Sequence, residues 1–188
     1  MRLFVAFEVP AELRAAIDRR LAPRRAGSPA ARWVREDNFH VSMVFLGETA
    51  EAKLERLAAE LTTAFAAAAP IALGLGGIGS FPAGRAARVL WLGVEAGPGL
   101  ATLQAAVAAA CHAAAGVELE RRPYHPHVTL ARCDPPWPRH RVDELGAAFG
   151  ELRESFEAAE GILYQSRPGR GGVLYSPLAR FGLIPLIP

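Results

Sequence analysis

The sequence predicts an α+β fold with helices outside a mostly antiparallel sheet, all in one domain covering residues 1–188. Three observations carry that expectation. Strand-like and helix-like segments alternate along the chain, but not at the even spacing of a run of parallel crossovers. A four-residue pattern recurs about half a chain apart. The length, 188 residues, suits one domain that removes roughly 70% of its extended surface from water.

Element by element, Arg2 to Val9 alternates well enough for a strand rich in β-favouring side chains. Pro10 then opens a helix to about Leu21, and Pro23 to Pro29 reads as an Arg/Gly/Pro loop. Trp33-Val34 is a short extended piece, and Phe39 to Leu46 a strand stopped by Gly47. Ala50 to Ala69, rich in good helix formers and closed by Pro70, is a helix. Ile71 to Ile78 and Arg88 to Val94 are strands around a Pro82-Gly84 turn. Leu100 to Ala115 is a helix that Gly116 terminates. Val117 to Arg121 and His127 to Arg132 read as strands, and Pro135 to Pro138 as a rigid loop. Arg141 to Phe149 is a short helix. Phe156 to Tyr164 and Val173 to Leu183 form a closing hairpin across Pro168 to Gly172.

Composition excludes several classes. Hydrophobic residues make up 51% and charged residues 21%, which rules out intrinsic disorder and fibrous repeats. Two cysteines, Cys111 and Cys133, are too few for a disulfide framework and fit a reducing cytoplasm. The apolar start is too short for a signal peptide, and Ala105 to Val117 contains His112 and is too short to span a membrane. A cytoplasmic protein with no membrane partner, expected to be a monomer, follows. The net charge of +2 argues against coating nucleic acid by bulk electrostatics, while leaving room for a local anion site.

The recurring pattern carries the chemistry. His40-Val41-Ser42-Met43 matches His127-Val128-Thr129-Leu130, and 87 residues separate the two histidines. On a strand, residues two apart share a face, so each motif presents an imidazole beside a hydroxyl while its apolar residues pack. If the halves are related by a pseudo-two-fold axis, the two pairs face each other across a groove. One neutral imidazole can then take a proton from an attacking oxygen while a second, protonated, gives one to a leaving oxygen. The hydroxyls can donate to non-bridging phosphate oxygens. This chemistry calls for no metal and no cofactor. Arg132 is a candidate guanidinium partner for the same oxygens. Strict alternation sets it on the face opposite His127, so it reaches the site only if a bulge or the strand end turns it inward.

The residues that carry a resemblance run nearly end to end: Arg2-Leu3-Phe4-Val5-Ala6, Arg32-Trp33-Val34, Asn38-Phe39-His40-Val41-Ser42, Phe45-Leu46-Gly47-Glu48, Gly79-Ser80-Phe81-Pro82, Val89-Leu90-Trp91 and Pro126-His127-Val128-Thr129-Leu130-Ala131-Arg132. On these the chain resembles the RNA 2′,3′-cyclic phosphodiesterase family, the bacterial 2′-5′ RNA ligase-like branch of the two-histidine phosphoesterase superfamily. The resemblance implies a single bilobal phosphoesterase domain, two pseudo-symmetric lobes with a central catalytic groove. It implies hydrolysis of an RNA terminal 2′,3′-cyclic phosphate to a 2′-phosphate, with reversible 2′-5′ ligation as the same chemistry run backwards. His40 would be the proton donor, His127 the acceptor, and Ser42, Thr129 and Arg132 would hold the phosphate. The partners implied are RNA 3′ ends or cyclic nucleotides. Ser42 departs from the family's usual threonine, keeping the hydroxyl but losing the rotamer restriction of the β-methyl. Two rival readings are a phosphoesterase for small cyclic nucleotides or 2′-5′ oligonucleotides, and a non-catalytic module that binds RNA ends.

Other signals carry less. Gly74-Leu75-Gly76-Gly77-Ile78-Gly79 satisfies a dinucleotide fingerprint literally, but a strand rather than a helix follows, so a small-residue strand face is expected instead. His125 beside His127 lacks a four-ligand metal spacing and reads as a rim or structural histidine. Phe39 is expected in packing, and Tyr124 and Trp137 are candidates to stack a base.

Overall fold

The computed structural model describes residues 1–28, 31–118, 120–150, 152–170 and 172–184. Its elements are β1 (Arg2–Glu8), α1 (Ala11–Ala26), β2 (Ala31–Trp33), β3 (His40–Glu48), α2 (Leu54–Ala66), β4 (Ile71–Phe81), β5 (Ala87–Ala96), α3 (Pro98–Ala115), β6 (His127–Trp137), α4 (Arg139–Phe149), β7 (Glu154–Ala158), β8 (Glu160–Gly169) and β9 (Gly172–Gly182). The strands form one antiparallel sheet in the order β7-β4-β5-β6-β3-β1-β8-β9, with β2 paired to β6 off that path.

That order is its own image about the β6–β3 junction. Advancing 87 residues carries β1, α1, β3, α2 and β4 onto β5, α3, β6, α4 and β8. The expected two lobes are therefore halves of a single sheet. β3 and β6 join them, and the ladder between these two strands holds one register pair, Val41 opposite Val128. Both valines are fully buried, as are Val5, Phe7, Leu90 and Leu92 on neighbouring strands. They pack with Ile17, Leu57, Leu61, Phe65 and Val107 of the helices, each worth roughly 1.5–3 kcal/mol of burial. The opposite face carries the imidazoles.

Several boundaries differ from the sequence expectation for physical reasons. The loop expected from Pro23 is the last turn of α1. Pro23 lies on the exposed side, where water can take the carbonyl its missing N–H frees. Arg24 and Arg25 also favour the helix C-terminus electrostatically, and Arg25 donates to Asp18 at 2.6 Å. Residue 29 of that expected loop lies outside the described residues. The expected strand at Val117–Arg121 is not one at residues 117, 118, 120 and 121, and residue 119 lies outside the described set. Pro135 and Pro136 belong to β6, which continues until Trp137 pairs with Ala87. β2 has ended by then, so no ladder bond on that edge is lost. The run Phe156 to Tyr164 divides between β7, paired to β4, and β8, paired to β1. Periodicity continues across that change of partner and cannot reveal it. Gly116 does end α3, in the left-handed conformation at φ 71°.

The glycine run lies inside β4 and a strand follows it. A Cβ on Gly79 would sit 2.1 Å from the Trp91 ring, so the glycine is what lets that indole lie against the strand.

Candidate active site

Extending the antiparallel register from the Val41–Val128 pair sets His40 opposite Thr129 and Ser42 opposite His127. All four share a face, and the two histidines occupy diagonal positions, roughly 7–8 Å apart at the backbone. Each imidazole is fixed in the same way. His40 Nδ1 donates to the carbonyl of Asn38 at 2.7 Å, and His127 Nδ1 donates to the carbonyl of His125 at 2.7 Å. A carbonyl only accepts, so these bonds put the proton on Nδ1 and leave Nε2 as the atom that exchanges protons.

Aromatic walls hold the rings. Phe4 lies 4.9 Å from His40 and Tyr175 meets it edge-on at 5.2 Å. Phe81 meets His127 edge-on at 5.3 Å, and Trp91 lies 6.1 Å away. Phe4 and Trp91 are themselves 87 residues apart, so the walls obey the same pseudo-symmetry. Burial pushes the His40 imidazole down to about 4; the bond to Asn38 resists, and charge on His127 pushes further down. His127 is also held below its ordinary value, first by burial and then by the charges of His125 and Arg132. A cleft of about 120 Å³ opens beside His40, lined in part by Glu8, Asn38, Tyr164 and Arg180.

Arg132 reaches this face through a bulge. Against β5, Leu90 pairs with Ala131 and the adjacent Trp91 with Thr129, so Leu130 is an extra residue. Two buried residues in succession, Leu130 and Ala131, mark the phase change, and Arg132 emerges exposed on the imidazole side. Its charge is felt at both His127 and Tyr175. The other half repeats the device. Against β1, Val5 pairs with Val44 and Ala6 with Ser42, leaving Met43 extra. The extra residues' carbonyls are both satisfied, Met43 by Gln104 Nε2 at 3.2 Å and Leu130 by the Val34 N–H at 2.8 Å.

The counterpart of Arg132 under this repeat is Phe45, 67% exposed on the imidazole face with its ring 6.0 Å from Phe4. Sequence reading missed Phe45 as a site residue. Aligning the two motifs two residues further would have found it, since it stands where the second motif has Arg132. The aromatic residues singled out instead serve other purposes. Phe39 is buried, as expected. Trp137 is also buried, packed edge-on against Trp33 at 5.7 Å. Tyr124 donates to the Ser42 carbonyl at 2.9 Å and so braces β3. His125 is exposed at the rim, edge-on to Trp91 at 4.7 Å. Among the described residues, no three His, Cys, Asp or Glu side chains cluster as a metal site would require. No helix among them is long and apolar enough to cross a membrane.

A two-lobed α+β sheet whose halves each lend a His-x-Ser/Thr strand to one shared face is the class that this fold and site define. The chain belongs to the 2′-5′ RNA ligase superfamily, whose family profile matches residues 5–160. It is 32% identical over 186 residues to the RNA 2′,3′-cyclic phosphodiesterase of Escherichia coli K12, covering 97% of this chain and 96% of that protein. It is 30% identical over 184 residues to the protein of the same name from Geobacillus stearothermophilus, covering 96% of this chain. This chain spans only 57% of that relative's length. Among solved structures, TT0787 of Thermus thermophilus superposes with a TM-score of 0.81 at 26% identity over all of both chains. E. coli LigT in complex with 3′-AMP superposes at 0.74, with 29% identity and 97% of each chain covered.

Proposed function

We propose that this protein hydrolyses the terminal 2′,3′-cyclic phosphate of RNA to a 2′-phosphate by paired histidine acid–base catalysis. The observation that carries the reading is the matched pair of imidazoles, each tied through Nδ1 to a carbonyl at 2.7 Å and each offering Nε2 to one shared face. Two kinds of comparison support it: relatives named RNA 2′,3′-cyclic phosphodiesterase and a LigT structure that holds 3′-AMP.

In this reading the phosphate lies between the two Nε2 atoms, with a contact of about 2.8 Å on each side. His127 Nε2 takes a proton from water as the water oxygen bonds to phosphorus. The P–O3′ bond breaks, and His40 Nε2–H gives its proton to the departing O3′. Ser42, Thr129 and Arg132 hold the non-bridging oxygens, where charge grows in the transition state. Phe45 offers an open ring on which the terminal base can stack. With a ribose 5′-hydroxyl in place of water, the same steps join RNA ends through a 2′-5′ bond as P–O3′ breaks; reversed, they cleave that bond.

The test is turnover of an oligonucleotide ending in a 2′,3′-cyclic phosphate, in EDTA, with analysis of which oxygen keeps the phosphate. The expected product carries a 2′-phosphate. A 3′-phosphate, or loss of activity in EDTA restored by a metal ion, would overturn the scheme.

A further inference from the structure

β2 contributes one feature that the acid–base scheme leaves unused. Arg32 of β2 lies directly opposite Arg132 of β6 in the antiparallel ladder, so the two arginines share a face. Both are exposed. Like charges set opposite one another across a ladder destabilise it, and nothing nearby relieves this pair. On its other side Arg132 faces Val89 of β5. Asp18 is taken by Arg25, and Asp37 by Arg35. Among the described residues neither Arg32 nor Arg132 forms an ion pair with any carboxylate. The pair is therefore open to an anion from outside the protein.

Arg132 is the arginine placed for the reacting phosphate, its charge being felt at His127. Arg32 stands opposite it on β2, one strand removed from the β6 imidazole, and is exposed. We propose that Arg32 binds the phosphodiester on the 5′ side of the terminal nucleotide, forming a second phosphate subsite that selects RNA ends over lone cyclic mononucleotides. The inference rests on the phosphoesterase reading and names the substrate class for the same site. Arginine suits the task because its planar fork grips two phosphate oxygens at once.

Equilibrium binding tests this without turnover. The probes are a nucleoside 2′-phosphate, with one phosphate, and a dinucleotide carrying the same 2′-phosphate terminus, with two. Dissociation constants are measured for the wild type, Arg32→Ala and Arg32→Lys between 50 and 200 mM salt. The wild type is expected to bind the dinucleotide more tightly. Arg32→Ala should weaken dinucleotide binding about tenfold and leave the mononucleotide within about twofold. The slope of log affinity against log salt for the dinucleotide should fall by about 0.7, and lysine should restore the slope without the full affinity. Equal weakening with both probes, no weakening with either, or a wild type indifferent to the second phosphate would each overturn the proposal. Turnover of cyclic substrates is scored separately, so a wild type that binds both probes but hydrolyses neither cyclic counterpart sinks the catalytic reading while the subsite result stands.

Discussion

An acid catalyst must be protonated, yet burial holds His40 at about 4 in the free protein. The proposed scheme therefore requires the substrate itself to load the acid. One negative charge about 4 Å from the imidazole, at an effective dielectric near 20, favours the protonated form by about 4 kcal/mol. That corresponds to roughly 3 pH units and lifts His40 from about 4 to near 7. A nucleoside carrying a methyl phosphodiester at its 2′ oxygen keeps a single negative charge throughout the range. Carbon and nitrogen chemical shifts of the His40 ring, followed from pH 3.5 to 8.5 with and without this compound, give both values. A rise of two units or more at saturation is expected. A His40 that stays within half a unit of its free value while the compound is bound would refute the argument, because the ring would then be neutral whenever substrate is present.

Stability should also depend on pH. His40 titrates at its ordinary 6.5 when unfolded and at about 4 when folded, so the unfolded chain binds the extra proton between those values. Stability is fully retained above pH 6.5 and falls as pH drops through 4, by about 3 kcal/mol from this group. Denaturant titrations of the wild type and His40→Gln should differ in that window, and identical pH dependence would count against it. Phe45→Ala should slow turnover about tenfold, as expected for a lost base stack, with Phe45→Tyr near wild type; an unaffected Phe45→Ala would remove the ring from the account. Arg132→Lys keeps the charge but loses the two-pronged contact, and kcat/KM on a cyclic phosphate substrate should fall by about tenfold or more. Gly79→Ala drives a methyl into Trp91 and should cost roughly 1–3 kcal/mol in thermal unfolding together with lower activity; unchanged melting would show that the indole has room to move.

Much of this was legible in the chain because the duplication writes itself into the sequence. His40 and His127, each with a hydroxyl two residues on, announce two strands with one chemical face. What the sequence leaves hidden is set by partners. Nothing within Leu130-Ala131-Arg132 announces a bulge; the extra residue exists only relative to Leu90 and Trp91 across the ladder. The condition for Arg132 to face inward could be stated from alternation, but its fulfilment could not. Phe45 was missed for the same reason, since simple alternation from His40 sends it to the far face. Trp137 looked available for stacking because a proline-rich run reads as a loop, whereas pairing with Ala87 draws it into the core. The Arg32–Arg132 opposition is likewise a property of register and has no signature in residues one hundred positions apart.

The central claim is that two imidazoles from the two halves act on one phosphate, one giving and one taking a proton. Single-turnover rates for His40→Ala and His127→Ala on a 2′,3′-cyclic-phosphate oligonucleotide, with folding checked by circular dichroism, address it most directly. Each substitution should lower the rate by about a hundredfold or more. A folded variant lacking either ring yet working within tenfold of the wild type would contradict the account.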